Sequence, residues 1–222
     1  MKVLITSGNT ATMIDKVRKI SNIFGGRTGF DIANHFVSSG DDVTLLTSSS
    51  EYGLNFTAMG RSRCHYDAYK TYDELYNRMK EECASGDYDV IIHSAAVSDY
   101  KPVGTFDSNL IEVDSRSKIS SSHKELFLKL VPTEKIVDNL GLWGFKGTLV
   151  KFKLQVDITD KELIEIAHRS RKQSNADFIV ANCLEWARER AYICGEDTCE
   201  SVKRNFLPNN LREAIVSKME LS

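Results

Sequence analysis

Short apolar runs separated by stretches of helical spacing constrain this chain more than any other feature. Val3-Leu4-Ile5, Val43-Thr44-Leu45-Leu46, Val90-Ile91-Ile92, Leu149-Val150 and Ile179-Val180-Ala181 are too short for buried helices. Runs of this kind suit strands covered on both faces. Between them, apolar residues recur at helical spacing: Ile32, Ala33, Phe36 and Val37; Tyr72, Leu75, Tyr76, Met79 and Cys83; Leu163, Ile164, Ile166 and Ala167. Thr71, with Glu74 three residues on, marks the second of these helices with a capping box. The alternation predicts an α/β fold: a Rossmann-like, doubly wound parallel sheet with right-handed crossovers.

The strands fall at residues 2–6, 42–46, 65–69, 90–94, 125–131, 148–154 and 178–182. Gly40 stops the first helix, residues 48–60 read as turn-rich, and the second helix ends near Ser85-Gly86. Pro132 opens a helix through Leu140, another helix spans 160–174, a hairpin turns around Gly195, and a last helix covers 210–219. Residues 104–131 break the alternation. This excursion is expected to be a β arm or flap and a dimerisation arm, within a single domain of residues 1–222.

The connection from the first strand to the first helix is about twenty residues, against the roughly 2–6 usual for such a loop. It contains Val17, Ile20, Ile23 and Phe24, too apolar for a disordered linker, and so reads as a binding loop. A Gly-rich turn into a helix aims backbone N–H groups and the positive end of the helix dipole at a ligand. Arg18, Lys19 and Arg27 add positive charge, and Gly25 and Gly26 allow close backbone approach, so the expected occupant is an anion. A glycine-containing loop that binds nothing has the same glycine spacing. The length and apolar content favour binding.

Two further stretches lie where an open α/β sheet places its ligands, beyond the carboxyl ends of strands. Ala95-Ala96-Val97-Ser98-Asp99 follows the 90–94 strand; its alanines admit a flat ring or a phosphate, and Asp99 offers a carboxylate. A plain strand-end turn fits as well. Phe152, flanked by Lys151 and Lys153, suits a base with its phosphates, or an edge strand with exposed lysines. Lys118, in the flap, is a mobile cation that can close over phosphates, or a solvated surface lysine.

A formal charge of -2 gives no attraction to a polyanion, which argues against nucleic acid. No apolar run reaches the roughly 18 residues of a membrane span, and the first residues form a strand rather than a signal peptide, so a cytoplasmic location without membrane contact is expected. The five cysteines, an odd number, are expected to be reduced. Cys194 and Cys199 suit neither a redox pair nor a zinc knuckle, and Cys64-His65 lacks a second ligand pair.

Taken together and in order, Ile5-Thr-Ser-Gly-Asn-Thr, Ile14-Asp-Lys-Val-Arg-Lys-Ile-Ser-Asn, Gly26-Arg-Thr-Gly, Ala95-Ala-Val-Ser-Asp-Tyr, Lys118-Ile, Phe152-Lys-Leu and Ile179-Val-Ala-Asn resemble the phosphopantothenate–cysteine ligase family. The resemblance covers the chain to about Asn182 and suggests a stand-alone form. It implies a homodimer that joins 4′-phosphopantothenate to cysteine through an acyl-nucleotidylate, with CTP or ATP as co-substrate and Mg²⁺ accompanying it. Under it, Asn22 holds the acyl-nucleotidylate and Lys118 is the catalytic flap lysine. Gly8, Gly25, Gly26, Arg27, Ala95, Ala96, Asp99, Phe152 and Lys153 fall on the nucleotide side, and Arg18 with Asn22 on the substrate side. No metal ligand is assigned. The family's Ser-Ser-Gly is here Phe24-Gly25-Gly26, and Thr10-Ala-Thr stands where a charged residue is usual.

Two other readings compete. Tyr66 and Lys70 have the Tyr-x-x-x-Lys spacing of short-chain NAD(P)-dependent dehydrogenases, although the tight glycine turn after the first strand is missing. A nucleotide-binding module without turnover keeps the fold; the presence of both Asn22 and Lys118 favours an active ligase.

Overall fold

At the centre lies β1 (Lys2–Ser7), in which Val3, Leu4 and Ile5 have no exposed surface. The structure, a computed structural model, describes residues 1–57 and 63–221. After β1 the chain forms a small antiparallel hairpin, β2 (Ala11–Met13) with β3 (Lys19–Ser21), before entering α1 (Arg27–Ser38). Then come β4 (Asp42–Thr47), α2 (Ser50–Thr57), β5 (Cys64–Ala68), α3 (Tyr72–Ser85) and β6 (Val90–His93). An antiparallel arm of β7 (Tyr100–Phe106) and β8 (Phe127–Pro132) leaves the body of the fold at this point. The chain returns as β9 (Thr148–Gln155), α4 (Asp160–Gln173) and β10 (Phe178–Cys183), followed by β11 (Arg190–Cys194), β12 (Cys199–Lys203) and α5 (Leu207–Glu220).

The main sheet runs β12-β11-β10-β9-β6-β1-β4-β5. Its six strands from β5 to β10 are parallel and the last two antiparallel. Numbered within the parallel set, the order is that of a doubly wound dinucleotide-binding sheet, with its reversal between β1 and β6. Strand alternation divides the core. Ile5, Leu45, Val150 and Val180 pack under α1 and α5 with Ile32, Phe36, Leu211 and Ile215. On the other face Leu4, Leu46 and Ile91 meet Leu75 and Met79 of α3, and Ile179 and Ala181 meet Leu163 and Ala167 of α4. Each buried Leu or Ile contributes roughly 1.5–3 kcal/mol, so this double layer carries most of the fold. Among the described residues, no helix is long and apolar enough to cross a membrane.

The capping box at Thr71 and Glu74 is formed, with α3 running into Gly86, and Thr159 with Glu162 makes a second box at α4. Three expectations need correction. Residues 50–57 are helical, because Phe56 drops into the core and Gly53 packs against the Tyr66 ring; residues 58–60 of the stretch read as turn-rich lie outside the described residues. Pro132 ends β8 and opens no helix. Thr133 N donates to Asp99 O at 2.9 Å and Thr133 Oγ1 to Ser98 O at 2.6 Å, holding the chain extended until a single 3₁₀ turn, Ile136–Asn139. The cysteines are not all reduced: Cys194 and Cys199 face each other across the β11–β12 hairpin and form a disulfide, while Cys64, Cys83 and Cys183 are buried. As the strand expected at 65–69 implies, Tyr66 lies on β5, so Tyr66 and Lys70 form no helical catalytic face.

Candidate functional site at the switch point

The tails of β1 and β6 run side by side beyond the sheet. Ala96 N donates to Gly8 O at 2.8 Å, and Thr10 N to Ala96 O at 3.2 Å. Thr10, fully buried, accepts from Ser98 N through its hydroxyl at 2.8 Å, so the threonine standing in place of a charge ties the two tails together. Gly8 takes φ +93 and lies against Ser48.

The long connection folds back onto this platform. Asn22 Nδ2 donates to Ala96 O at 2.9 Å and to Val97 O at 3.3 Å. Asn9 Nδ2 donates to Asn22 O at 2.6 Å and to Phe24 O at 3.0 Å. The chain then enters α1 through Gly26 in the left-handed conformation, φ 90, with Ser7 Oγ donating to its carbonyl at 2.6 Å. No side chain caps α1 and no acid stands in its first turn, which leaves this helix end suited to an anion. Around Gly25 a Cβ would meet nothing within 4 Å, whereas at Gly26 it would lie 2.7 Å from Gly8 Cα. The open approach is therefore at Gly25, while packing of the loop against Ser7 and Gly8 already requires a glycine at 26. Gly29 likewise seats α1 on the sheet, since a Cβ there would lie 2.8 Å from Ser7 Cβ.

Gly8, Asn22, Gly25, Gly26, Ala95 and Ala96 thus converge at the switch point. Other candidates are placed differently. Arg27 is solvent-exposed, 3.6 Å from Asp31. The Asp99 carboxylate is exposed and pairs with Lys135. Phe152 packs into the α1 and α5 side of the core, whereas alternation along β9 sends Lys151 and Lys153 to the other face, so the three do not form one platform. Lys151 Nζ instead donates to Ser174 Oγ at 2.9 Å, and burial lowers its pKa. Arg18 lies 3.0 Å from Asp15 and donates to the Ile119 carbonyl, next to the exposed Lys118.

Arg204 joins this candidate site although no sequence motif announced it. It follows β12, donates to Asn182 Oδ1 at 3.1 Å at the carboxyl end of β10, and reaches Thr28 Oγ1 in the first turn of α1. Burial pushes its pKa down, with Asp31 opposing. A half-buried guanidinium at an uncapped helix N-terminus adds to the local preference for anions.

Comparison with known proteins agrees with this fold. The family model for the DNA/pantothenate metabolism flavoprotein C-terminal domain matches residues 1–204. The coenzyme A biosynthesis bifunctional protein CoaBC of Thermococcus kodakarensis is 29% identical over 98% of this chain and 49% of its own length. The protein of the same name from Methanocaldococcus jannaschii is 33% identical over 82% of this chain and 40% of its own. The chain therefore spans about half the length, or less, of these curated relatives. The crystal structure of the DNA/pantothenate metabolism flavoprotein from Streptococcus pneumoniae superposes with a TM-score of 0.84 at 30% identity, covering 98% of this chain and 99% of that one. A Cab2 mutant in complex with phosphopantothenate-cysteine shares the fold, with a TM-score of 0.76 at 17% identity over 98% of this chain and 88% of its own. On the match across residues 1–204, the chain belongs to the DNA/pantothenate metabolism flavoprotein C-terminal domain family.

Proposed function

We propose that this chain is a phosphopantothenate–cysteine ligase acting in coenzyme A biosynthesis, with CTP or ATP as co-substrate. The observation that carries the reading is the closure of the Asn22 loop onto Ala96 at the switch point, beside an uncapped helix end and the open face of Gly25. The names of its relatives, and the product bound by the Cab2 mutant, support the same chemistry.

In this reading, the phosphopantothenate carboxylate attacks the α-phosphorus of the nucleotide and pyrophosphate leaves. The cysteine amine then attacks the acyl carbon of the mixed anhydride, an amide forms, and nucleoside monophosphate departs. Two anions must meet in the first step. The α1 N-terminus, Arg204 and Lys118 oppose that repulsion, and Asn22 offers a neutral donor to the acyl group without adding a nucleophile. Among the described residues no group of three His, Cys, Asp or Glu side chains is arranged to hold a metal. Magnesium accompanying the triphosphate would supply positive charge to neutralise the departing pyrophosphate. The exposed Tyr100, Val103, Phe127 and Leu130 support the arm as the contact in a homodimer.

The test is pyrophosphate release with 4′-phosphopantothenate, Mg²⁺ and CTP or ATP, with and without cysteine, in wild type and Lys118→Ala. Release that requires phosphopantothenate and collapses in the variant supports the reading. Nucleotide binding without release would make the protein a binding module.

A further inference from the structure

Two pieces of chain far apart in sequence meet on one buried carboxylate. The Asp15 side chain has no exposed surface. Its Oδ1 accepts from Val17 N and Arg18 N, each at 2.7 Å, and its Oδ2 from Ile119 N at 3.1 Å. Arg18 Nε lies 3.0 Å from the same carboxylate, and the guanidinium donates onward to Ile119 O. Both main-chain polar groups of Ile119 are therefore held, and its side chain is buried as well. Burial raises the Asp15 pKa, but the three backbone donors and Arg18 outweigh it, so the net direction is downward and the group stays ionised at neutral pH.

A buried, charged anchor is a poor way to gain stability, because an apolar contact of the same volume serves as well. What it does provide is a fixed position. Ile119 is bonded directly to Lys118, an exposed cation between the arm's two strands, and Asp15 stands on the same connection that carries Asn22. We propose that Asp15 is a positioning residue: with Arg18 it clamps the Ile119 backbone to the binding loop and so sets where the Lys118 ammonium stands. This rests on the ligase reading for its consequence in turnover. It also gives Arg18 a role in holding the arm, distinct from direct substrate contact.

Asp15→Asn keeps the volume but turns one acceptor oxygen into a donor facing backbone N–H groups. The expected result is a loss of about 10²-fold in kcat for pyrophosphate release, with KM for nucleotide and phosphopantothenate kept within about threefold. In a Lys118→Ala background the same substitution is expected to cost nothing further, because the residue it positions is gone. Active wild type with an Asp15→Asn variant of normal kcat, or losses that multiply in the double variant, would overturn the proposal. Amide hydrogen exchange at Ile119 gives a second readout that needs no turnover and no variant. Slow exchange in wild type is expected, and exchange as fast as unstructured chain would overturn the clamp even if Asp15→Asn fails to fold. Failure of the ligase reading has a different signature, a wild-type protein that releases no pyrophosphate while its Ile119 amide stays protected.

Discussion

The side-chain amide of Asn22 lies 2.9 Å from the Ala96 carbonyl oxygen and 3.3 Å from that of Val97, bridging 74 residues of sequence. Two carbonyls at the end of β6 hold the long connection over the switch point. An amide nitrogen satisfies both; a carboxylate has no hydrogen to give and would face two partial negative charges. Asn22→Asp is therefore expected to lift the loop and lower pyrophosphate release by about 10²-fold or more. Asn22 is exposed, so the folding cost of Asn22→Ala should be about 1 kcal/mol or less. Thermal unfolding and pyrophosphate release, measured on both variants, check this. A loss of activity that merely follows a large drop in Tm would show Asn22 to be structural.

Gly25 and Gly26 are neighbours with opposite requirements. Gly26→Ala has to adopt φ 90 and overlap the Gly8 backbone, which is expected to cost about 2–4 kcal/mol in urea unfolding. Gly25→Ala meets open space, so its Tm should stay within about 2 °C of wild type. If phosphates approach over Gly25, its methyl group should still raise the nucleotide KM by about tenfold. A Gly25→Ala enzyme with unchanged KM would place the phosphates elsewhere.

Arg212 of α5 reaches Asp41, at the start of β4, with Nε to Oδ2 at 2.7 Å, and Asp41 is 2% exposed. Removing the cation leaves the buried carboxylate with the Met1 ammonium, 3.0 Å from its Oδ1, as its remaining charged partner. Arg212→Ala should destabilise by about 2–3 kcal/mol, a figure reduced because Arg212 is partly solvated. Asp41→Asn should cost less, and adding Arg212→Ala to it should cost little more. A double-mutant cycle in urea measures that coupling, and strict additivity would remove the pair from the account.

The parallel sheet was legible because Val3-Leu4-Ile5 and its counterparts are short, unbroken and interspersed with helical periodicity. The capping box at Thr71 was legible for a local reason: both partners lie within four residues. The site was legible where short motifs mark strand ends, as at Ala95-Ala96. Elsewhere the determining contacts are distant. Asp15 meets Ile119 across 104 residues and Arg204 meets Thr28 across 176, so neither role has a local signature. The Cys194–Cys199 pairing depends on hairpin register. Phe152 and its flanking lysines lie on opposite faces of β9, a division that the period of two along a strand already dictates.

His93 gives the last prediction, in the pH dependence of stability. It ends β6 with its Nδ1 3.0 Å from Thr6 Oγ1, and that hydroxyl also accepts from Ala95 N at 3.1 Å. Burial, with Lys151 on the adjacent strand adding repulsion, lowers its pKa to about 4, against about 6.5 in the unfolded chain. Between these values the unfolded chain binds a proton that the folded one does not, so stability rises with pH across this window. The contribution is complete above about pH 6.5, is lost by about pH 4, and amounts to on the order of 3 kcal/mol. His93→Asn keeps a polar group near Thr6 but does not titrate. Its urea midpoint should fall less than that of wild type between about pH 7 and about pH 4.5, and parallel curves would assign the acid loss to other groups. Because the Thr6 hydroxyl also supports Ala95, protonation of His93 should disturb the Ala95-Ala96 platform before the whole chain unfolds. Pyrophosphate release should then decline at a higher pH than the unfolding transition in wild type, and the two should draw together in His93→Asn.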